Sequence, residues 1–257
     1  MSHVPFTAVE IAETSQAAAA ESRAIRTSGD SKRATPRHIA IAPELPHLEK
    51  TPDAARRWIS TLSALIEKCC TLSVDVLSVH VSAPEQSEFK RELHRLLAEW
   101  LTARAPALKP SGVSFRALGR SENDDRVLLS AIEKFSLSGE RVSLRVNLGI
   151  NYNGRAELAE AARGLANSPR NNESVDVGTE EVLRKHIASA QLPPVDLLIR
   201  TGGLSRLSDF LLWQSAYAEL LFVDAPWSEF SSEHLSRALA DYASRSRTFG
   251  GLGVLGR

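Results

Sequence analysis

The chain has 257 residues, and its 31 Lys and Arg residues balance 31 Asp and Glu residues, so the formal net charge is zero. That balance gives no reason to expect a polyanionic partner such as nucleic acid. The 43% of hydrophobic residues and 24% of charged residues are typical of a soluble globular protein that can bury one hydrophobic core.

The sequence holds two cysteines, Cys69 and Cys70, which are adjacent. They cannot form a disulfide framework and do not have the spacing of a metal site, which predicts a reducing, cytoplasmic environment. No apolar run approaches the roughly 18 residues that cross a bilayer. The first residues lack the basic and apolar segments of a secretory signal. We therefore expect neither a membrane span nor secretion.

Residues 1–35 are rich in Ala, Ser, Thr, Glu and Arg. Such a composition buries too little apolar surface to offset the entropy of ordering the chain. We predict a flexible N-terminal tail, or a frayed helix over residues 9–20 that needs a partner. Residues 252–257 form a predicted C-terminal tail, which leaves residues 36–251 as the folded domain.

From Arg37 onward, short β-branched runs alternate with longer helical patterns, as in βαβ units. We predict a single α/β domain with a mostly parallel six-stranded sheet flanked by helices. The first helix opens with an N-cap, a proline and an acid at residues 51–53. The predicted strands cover residues 38–42, 74–81, 113–117, 141–150, 195–200 and 220–223. The predicted helices cover residues 51–70, 87–103, 124–135, 155–166, 180–190, 208–218 and 232–244.

The stretch most informative about function lies around residue 200. A buried strand ends in Arg200, a Gly202-Gly203 pair lets the backbone turn tightly, and Arg206 and Ser208 precede a predicted helix. Ligands of open α/β sheets bind beyond the carboxyl ends of the strands. The oxygens of a diphosphate could accept hydrogen bonds there from two guanidinium groups, a hydroxyl, loop amides and a helix N-terminus. A plainer interpretation is that the glycine pair is only a turn and Ser208 only an N-cap.

The segments around this block carry a family resemblance. Residues 211–220 read LLWQSAYAEL, and residues 38–41 (HIAI), 151–157 (NYNGRAE) and 249–251 (FGG) fit the same pattern in order and spacing. Over roughly residues 38–251 the chain resembles the cis-prenyltransferases, the undecaprenyl diphosphate synthase family. The resemblance implies a parallel sheet flanked by helices, usually in a dimer, that joins isoprenoid diphosphates with Mg²⁺.

The resemblance also implies roles for residues of the last block. In the family, two arginines, a serine and a glutamate there bind the diphosphate of isopentenyl diphosphate and its metal. The corresponding residues are Arg200, Arg206, Ser208 and Glu219, with Gly202 and Gly203 in the same loop. Arginine supplies planar donors for phosphate, and a carboxylate suits a hard cation. A solvated or capping carboxylate remains the alternative for Glu219.

The first half of the chain departs from the family. After its first strand the family carries Asp-Gly-Asn-Gly-Arg-Trp, whereas residues 42–50 read APELPHLEK. Glu44 falls on the Asp position, which implies a magnesium-binding role, but apolar residues and a proline replace the Gly, Asn and Arg. Each proline removes an amide donor, so we predict that the usual allylic diphosphate site is lost. The sequence leaves open whether Glu44 reaches Glu219 to share an ion, and whether Mg²⁺ is needed.

A second family element, Phe-Ser-Ser-Glu-Asn-Trp, reads VSAPEQ at residues 81–86. Only the first Ser remains, as Ser82, and Glu85 replaces the Asn thought to assist proton removal from the condensing isopentenyl group. Glu85 is either a replacement base or an exposed loop acid. His47 and His80 could act as bases or ligands, but neither has a His or Cys at ligand spacing. The catalytic candidates are Glu44, Ser82 and Glu85.

The chain thus retains one diphosphate site and loses the other, whereas a polyprenyl synthase needs both. We predict an atypical prenyltransferase that holds a short prenyl diphosphate and Mg²⁺, with a non-phosphorylated, aromatic acceptor in a pocket made apolar by Leu45 and Leu48. It would work alone or within a heteromer. The alternative is a non-catalytic or half-catalytic subunit of a heteromeric cis-prenyltransferase, and a third option is a protein that binds or senses isoprenoid diphosphates. We expect the chain to form either a homodimer or a heterodimer with another cis-prenyltransferase homologue.

Overall fold

The computed structural model describes residues 35–44, 53–84, 87–119, 126–136, 142–167 and 180–245. Nearly all of the predicted tail at residues 1–35, and all of the one at residues 252–257, lie outside these ranges. No helix in the described part of the chain is long and apolar enough to cross a membrane.

Six strands form one sheet, as predicted. They are β1 (His38–Ala42), β2 (Val76–Val81), β3 (Val113–Leu118), β4 (Leu144–Ile150), β5 (Leu197–Thr201) and β6 (Glu219–Val223). Their order across the sheet is β3-β4-β2-β1-β5-β6, and every neighbouring pair is parallel. At the start of β1, the Asp196 carboxylate accepts the main-chain N–H groups of Arg37 and His38 at 2.9 and 3.0 Å, which ties β1 to the segment before β5.

The described helices are α1 (Ala54–Thr71), α2 (Glu88–Leu108), α3 (Arg126–Lys134), α4 (Gly154–Asn167), α5 (Glu180–Arg184) and α6 (Ser232–Ser244). Helix α6 begins at a capping box formed by Ser231 and His234. After β6, the indole N–H of Trp227 donates to the Trp58 carbonyl at 3.1 Å, which attaches this segment to α1.

The predicted helix at residues 208–218 is wrong, because these residues form turns. Leu211 has a φ of 51°, a left-handed conformation that a right-handed helix does not admit. The Gln214 carbonyl accepts the Val195 N–H at 2.8 Å, and the Phe210 side chain is fully buried. These tertiary contacts outweigh the local helical pattern.

The predicted helix at residues 180–190 is too long, since α5 ends at Arg184 and turns follow. The Glu157 carboxylate accepts both the main-chain N–H and the hydroxyl of Ser189 at 2.8 Å. These bonds hold Ser189 in a turn instead of a helix.

The chain divides into two compact units. Residues 33–153 and 194–257 form the unit that contains the sheet. The described residues of the other unit are 154–167 and 180–193, which include α4 and α5. Within it, a Cβ atom on Gly164 would lie 3.0 Å from Nδ1 of His186, so α4 lies close to the segment that follows α5.

One face of the sheet supplies the apolar core. Alternate residues such as Ile39, Ile41, Val79, Val146 and Ile199 are almost fully buried in one hydrophobic cluster. Buried apolar residues of α1, α2, α3 and α6 belong to the same cluster. This face therefore carries most of the stabilisation from hydrophobic burial.

The opposite face carries a line of buried polar groups. His38, Ser78 and Asn147 are all 0% exposed. The Ser78 hydroxyl lies 2.8 Å from Nε2 of His38 and accepts the side-chain N–H of Asn147 at 2.9 Å. One hydroxyl therefore links β1, β2 and β4 across the middle of the sheet.

Replacing Ser78 by Ala should lower the free energy of unfolding by about 1–3 kcal/mol, because Nδ2 of Asn147 loses its acceptor in the buried interior. The measurement is denaturant unfolding, with Ser244→Ala at the exposed end of α6 as the matched control. That control should change stability by no more than about 0.5 kcal/mol. Equal effects of the two substitutions would contradict the prediction.

Candidate functional site

The strand order places a crevice between β1 and β5. Strands β2, β4 and β3 lie on one side of β1, and β5 and β6 lie on the other, so the order of the sheet reverses between β1 and β5. Ligands of open α/β sheets bind at such a switch point, beyond the carboxyl ends of the strands. Glu44 follows the end of β1, and Arg200 lies near the end of β5 directly opposite Ala42.

Arg200 and Glu44 form an ion pair in this crevice. Nη2 of Arg200 donates to Oε2 of Glu44 at 2.7 Å, and the exposed fraction is 5% for the Arg200 side chain and 31% for that of Glu44. Nε of Arg200 is buried and has no hydrogen-bond partner among the described residues. An unpaired buried donor is costly, and an anion or a water that bonds to it removes this cost.

Gly202 and Gly203 have a structural role in the turn. Their φ angles are 90° and 78°, in the left-handed region that favours glycine, and a Cβ atom on Gly202 would lie 2.9 Å from Cβ of Glu44. Their N–H groups donate to the carbonyls of Ala225 and Val223 at 3.0 and 3.1 Å. Both amides thus have acceptors within the turn, and diphosphate binding at Gly202 and Gly203 stays a prediction. The predicted helix N-terminus after them is wrong, because turns follow.

Arg206 and Ser208 lie on the loop that follows this turn. Arg206 is exposed and forms no ion pair with any residue in the described ranges, so its guanidinium group is available to a ligand. The Ser208 hydroxyl accepts the N–H of Phe210 at 3.2 Å and keeps its own proton to donate. The hydrogen bonds and ion pairs of the described residues do not join Arg206 or Ser208 to Arg200.

Glu219 lies at the other end of the sheet from Glu44. It begins β6 opposite Leu197, three residues before Arg200, which is about 10 Å along the strand direction. Its Oε2 accepts a hydrogen bond from Nη1 of Arg245 at 3.0 Å. Within one chain, Glu44 and Glu219 are therefore too far apart to share a magnesium ion, and each is already paired with an arginine.

No group of three or more His, Cys, Asp or Glu residues that could hold a metal forms within the described ranges. Mg²⁺ is usually held by one or two carboxylates together with the phosphates of a substrate, and Glu44 beside Arg200 is the described carboxylate that would hold it. We assign no step of the chemistry to a metal. Among the other predicted residues, Ser82 follows β2 directly and is half-buried. Leu45, His47, Leu48 and Glu85 lie outside the described residues.

The structure gives new weight to His80, which the sequence analysis named as a possible base or ligand but did not choose as a catalytic candidate. His80 lies near the end of β2, and its ring stacks on that of Phe210 and meets that of Tyr152 edge-on. Burial lowers the pKa of His80, and Asp209, Arg200 and Glu44 all act on it electrostatically. In the sequence, this role could have been inferred from the position of His80, which is at the carboxyl end of a predicted strand and two residues before Ser82.

Comparisons with known proteins identify the family of this chain. The Prenyltransf family model, which describes undecaprenyl diphosphate synthases, matches residues 49–250. An isoprenyl transferase of Rhodopirellula baltica is 34% identical over 236 residues, which cover 85% of this chain and 95% of that protein. A ditrans,polycis-undecaprenyl-diphosphate synthase of Acinetobacter baylyi, specific for (2E,6E)-farnesyl diphosphate, is 33% identical over 207 residues, 77% of this chain and 82% of that one.

A solved structure has a similar fold. The crystal structure of lavandulyl diphosphate synthase from Lavandula x intermedia, in complex with dimethylallyl diphosphate, is similar with a TM-score of 0.73 and 25% sequence identity. The similarity covers 84% of this chain and 99% of that one. The chain is thus a member of the cis-prenyltransferase family, to which the undecaprenyl diphosphate synthases belong.

Proposed function

We propose that this chain is an atypical prenyltransferase that binds a short prenyl diphosphate through Arg200, Arg206 and Ser208. It transfers the prenyl group to a non-phosphorylated acceptor, of which an aromatic metabolite is the favoured class. The observation that carries the proposal is the buried Arg200 guanidinium group at the switch point of the sheet, with a donor that no described residue satisfies. The free thiols of Cys69 and Cys70 suit work in a reducing cytoplasm.

The charge balance of the site favours one bound diphosphate over two. Glu44 places a carboxylate 2.7 Å from Arg200 and so offsets its charge. Residues 43–50, which form the altered loop on either side of Glu44, include two prolines and no arginine. A second diphosphate would therefore lack the amide and arginine donors that the family's allylic loop supplies, whereas an uncharged acceptor does not need them.

An apolar cavity beside the diphosphate loop supports binding of a prenyl chain. It has a volume of about 190 Å³, and Ser208 lies in its wall. The apolar side chains that line it include Leu198, Leu207, Phe210 and Leu220. A short hydrocarbon placed here would leave water while its diphosphate stayed near the Ser208 hydroxyl.

Replacing Arg206 by Ala should weaken the binding of dimethylallyl diphosphate by about 1.5–3 kcal/mol, the range for a charge-assisted contact. Arg206 is exposed and without an ion pair among the described residues, so the substitution should leave the fold intact. Isothermal titration calorimetry measures the affinity, with Arg237→Ala on the exposed side of α6 as the control. Unchanged affinity in Arg206→Ala would remove this residue from the site.

The transfer itself is tested by incubating the purified chain with dimethylallyl diphosphate, with and without a panel of phenols. We expect the diphosphate to be consumed only when an acceptor is present, with a prenylated phenol detected by mass spectrometry. Formation of longer polyprenyl diphosphates from added isopentenyl diphosphate would contradict the proposal, because it needs the second diphosphate site.

Glu44→Gln should tighten the binding of inorganic pyrophosphate in magnesium-free buffer by roughly three- to tenfold. The substitution removes a negative charge beside the ligand and weakens the competition for Nη2 of Arg200. Glu229→Gln, at an exposed position, is the control and should leave the affinity unchanged. Weaker binding to Glu44→Gln in the absence of Mg²⁺ would show that Glu44 does not oppose the anion.

One observation favours the second candidate, a subunit of a heteromeric cis-prenyltransferase. Among the described strands, β6 lies at an edge of the sheet, where part of its outer backbone faces away from β5 while the Leu220 carbonyl accepts a hydrogen bond from Arg245 at 3.0 Å. Leu207, Tyr217 and Phe222 are exposed in and near this edge, at 54%, 70% and 39%. Activity that appears only when the chain is mixed with a homologue that retains the Asp-Gly-Asn loop would support this candidate. Activity of the isolated chain would exclude it.

A further inference from the structure

The side chain of His80 projects into the crevice that holds Arg200. Ala40 pairs with Ser78 and Ala42 pairs with Arg200. Because side chains alternate along a strand, His80, two residues after Ser78, extends from the same face of the sheet as Arg200 and at the same level. Ser82, the retained residue of the altered family element, follows two residues later.

The hydrogen bond of the imidazole ring defines its tautomer. Nε2 of His80 lies 3.2 Å from the main-chain carbonyl oxygen of Tyr152. A carbonyl can only accept, so Nε2 carries the proton, and in the neutral ring Nδ1 is left with a lone pair. No described residue forms a hydrogen bond with Nδ1. Among the described residues, Nδ1 is thus an acceptor without a donor, on the same side of the sheet as Arg200.

Aromatic packing holds the ring in one orientation. The His80 and Phe210 rings are stacked, with centroids 4.9 Å apart and an angle of 5° between their planes, and the Tyr152 ring meets His80 edge-on at 6.4 Å. Gly149 lies opposite His80 on β4, and a Cβ atom there would lie 2.6 Å from Cε2 of Phe210. The absence of a side chain at Gly149 therefore makes the stacking possible.

The charges around His80 suit a group that gains and loses a proton. Burial keeps the pKa of His80 below its usual value, so the ring is neutral near pH 7. The charged groups that act on it are Asp209, Arg200 and Glu44; the two carboxylates raise its pKa and the guanidinium group lowers it. Once protonated, the ring would lie near two carboxylates that stabilise its positive charge.

We propose that Nδ1 of His80 accepts the proton that the acceptor molecule loses during prenyl transfer. In this step the bond between C1 of the prenyl group and the diphosphate oxygen breaks, and its electron pair leaves with the diphosphate. The nucleophilic atom of the acceptor forms a bond to C1, and its proton moves to Nδ1, which leaves an imidazolium ring. The proton passes to water when the products leave.

This inference rests on the proposed function and deepens it. The family's Asn in the element after β2, thought to assist proton removal, is replaced by Glu85. His80 would supply an acceptor from within the strand itself, close to Arg200. The acceptor class that follows is one with an acidic O–H group, or an aromatic carbon that loses its proton after bond formation.

The test uses the full chain labelled with ¹⁵N, and it observes the histidine rings by NMR across a pH titration. The chain has seven histidines, and the signals absent from His80→Gln identify His80. We expect the Nε2–H tautomer, a pKa below that of an unperturbed histidine, and a rise of that pKa when dimethylallyl thiolodiphosphate, a non-reacting analogue, brings negative charge to the site. An Nδ1–H tautomer would overturn the proposal, as would a ring that does not respond to an analogue that calorimetry shows to be bound.

Calorimetry separates this proposal from the proposed function. His80→Gln should bind dimethylallyl diphosphate within about twofold of the unmodified chain, since His80 does not hold the diphosphate. If the unmodified chain itself fails to bind dimethylallyl diphosphate, that result contradicts the proposed function and not the role of His80. The control is His234→Gln, the same substitution at the start of α6, which should also leave the affinity for dimethylallyl diphosphate unchanged.

Kinetics supply the second readout, with 1-naphthol as the probe acceptor and dimethylallyl diphosphate as donor. His80→Gln should lower the transfer rate by about 100- to 10,000-fold, the usual contribution of general-base catalysis. It should also abolish the fall in rate that the unmodified chain shows as the pH drops through the pKa of His80. His80→Phe, which keeps a ring against Phe210, should behave in the same way. A rate or pH profile unchanged in both variants would overturn the proposal.

Discussion

The ion pair between Arg200 and Glu44 is the interaction on which the candidate site depends. It joins the ends of β1 and β5 at the point where the order of the sheet reverses. A guanidinium group that is only 5% exposed needs an anionic partner, because an unpaired charge in the interior costs several kcal/mol. In the free chain that partner is a carboxylate. A diphosphate that binds here therefore meets an arginine that is already in place but partly neutralised.

The two faces of the sheet have separate tasks. Apolar residues of one face and of four helices form the core and provide stability. The other face carries the polar groups, from His38, Ser78 and Asn147 in the middle to His80 and Arg200 near the carboxyl ends. Because the main hydrophobic cluster does not include residues of this second face, changes in its charge and polarity alter the chemistry without removing the burial that the cluster provides. Such a division explains how a family fold can keep its sheet while its loops diverge.

Much of the fold could be predicted from the sequence because it depends on local patterns. The strands follow from β-branched runs, and the six-stranded parallel sheet follows from their alternation with helices. Residues 208–218 could not be predicted, because the burial of Phe210 and the left-handed Leu211 depend on tertiary contacts. The bonds of the Gly202 and Gly203 amides likewise depend on Val223 at the end of β6 and on Ala225 just after it, about 20 residues further along the chain. The position of Arg200 near the end of a buried strand could be predicted, whereas its pairing with Glu44, 156 residues away, could not.

The most direct test of the central claim is a crystal structure of the chain in complex with dimethylallyl thiolodiphosphate. We expect diphosphate oxygens within hydrogen-bond distance of the Arg200 guanidinium group and of Arg206, with the prenyl chain in the cavity beside Leu198 and Leu220. A diphosphate bound elsewhere, with Arg200 still bonded only to Glu44, would contradict it.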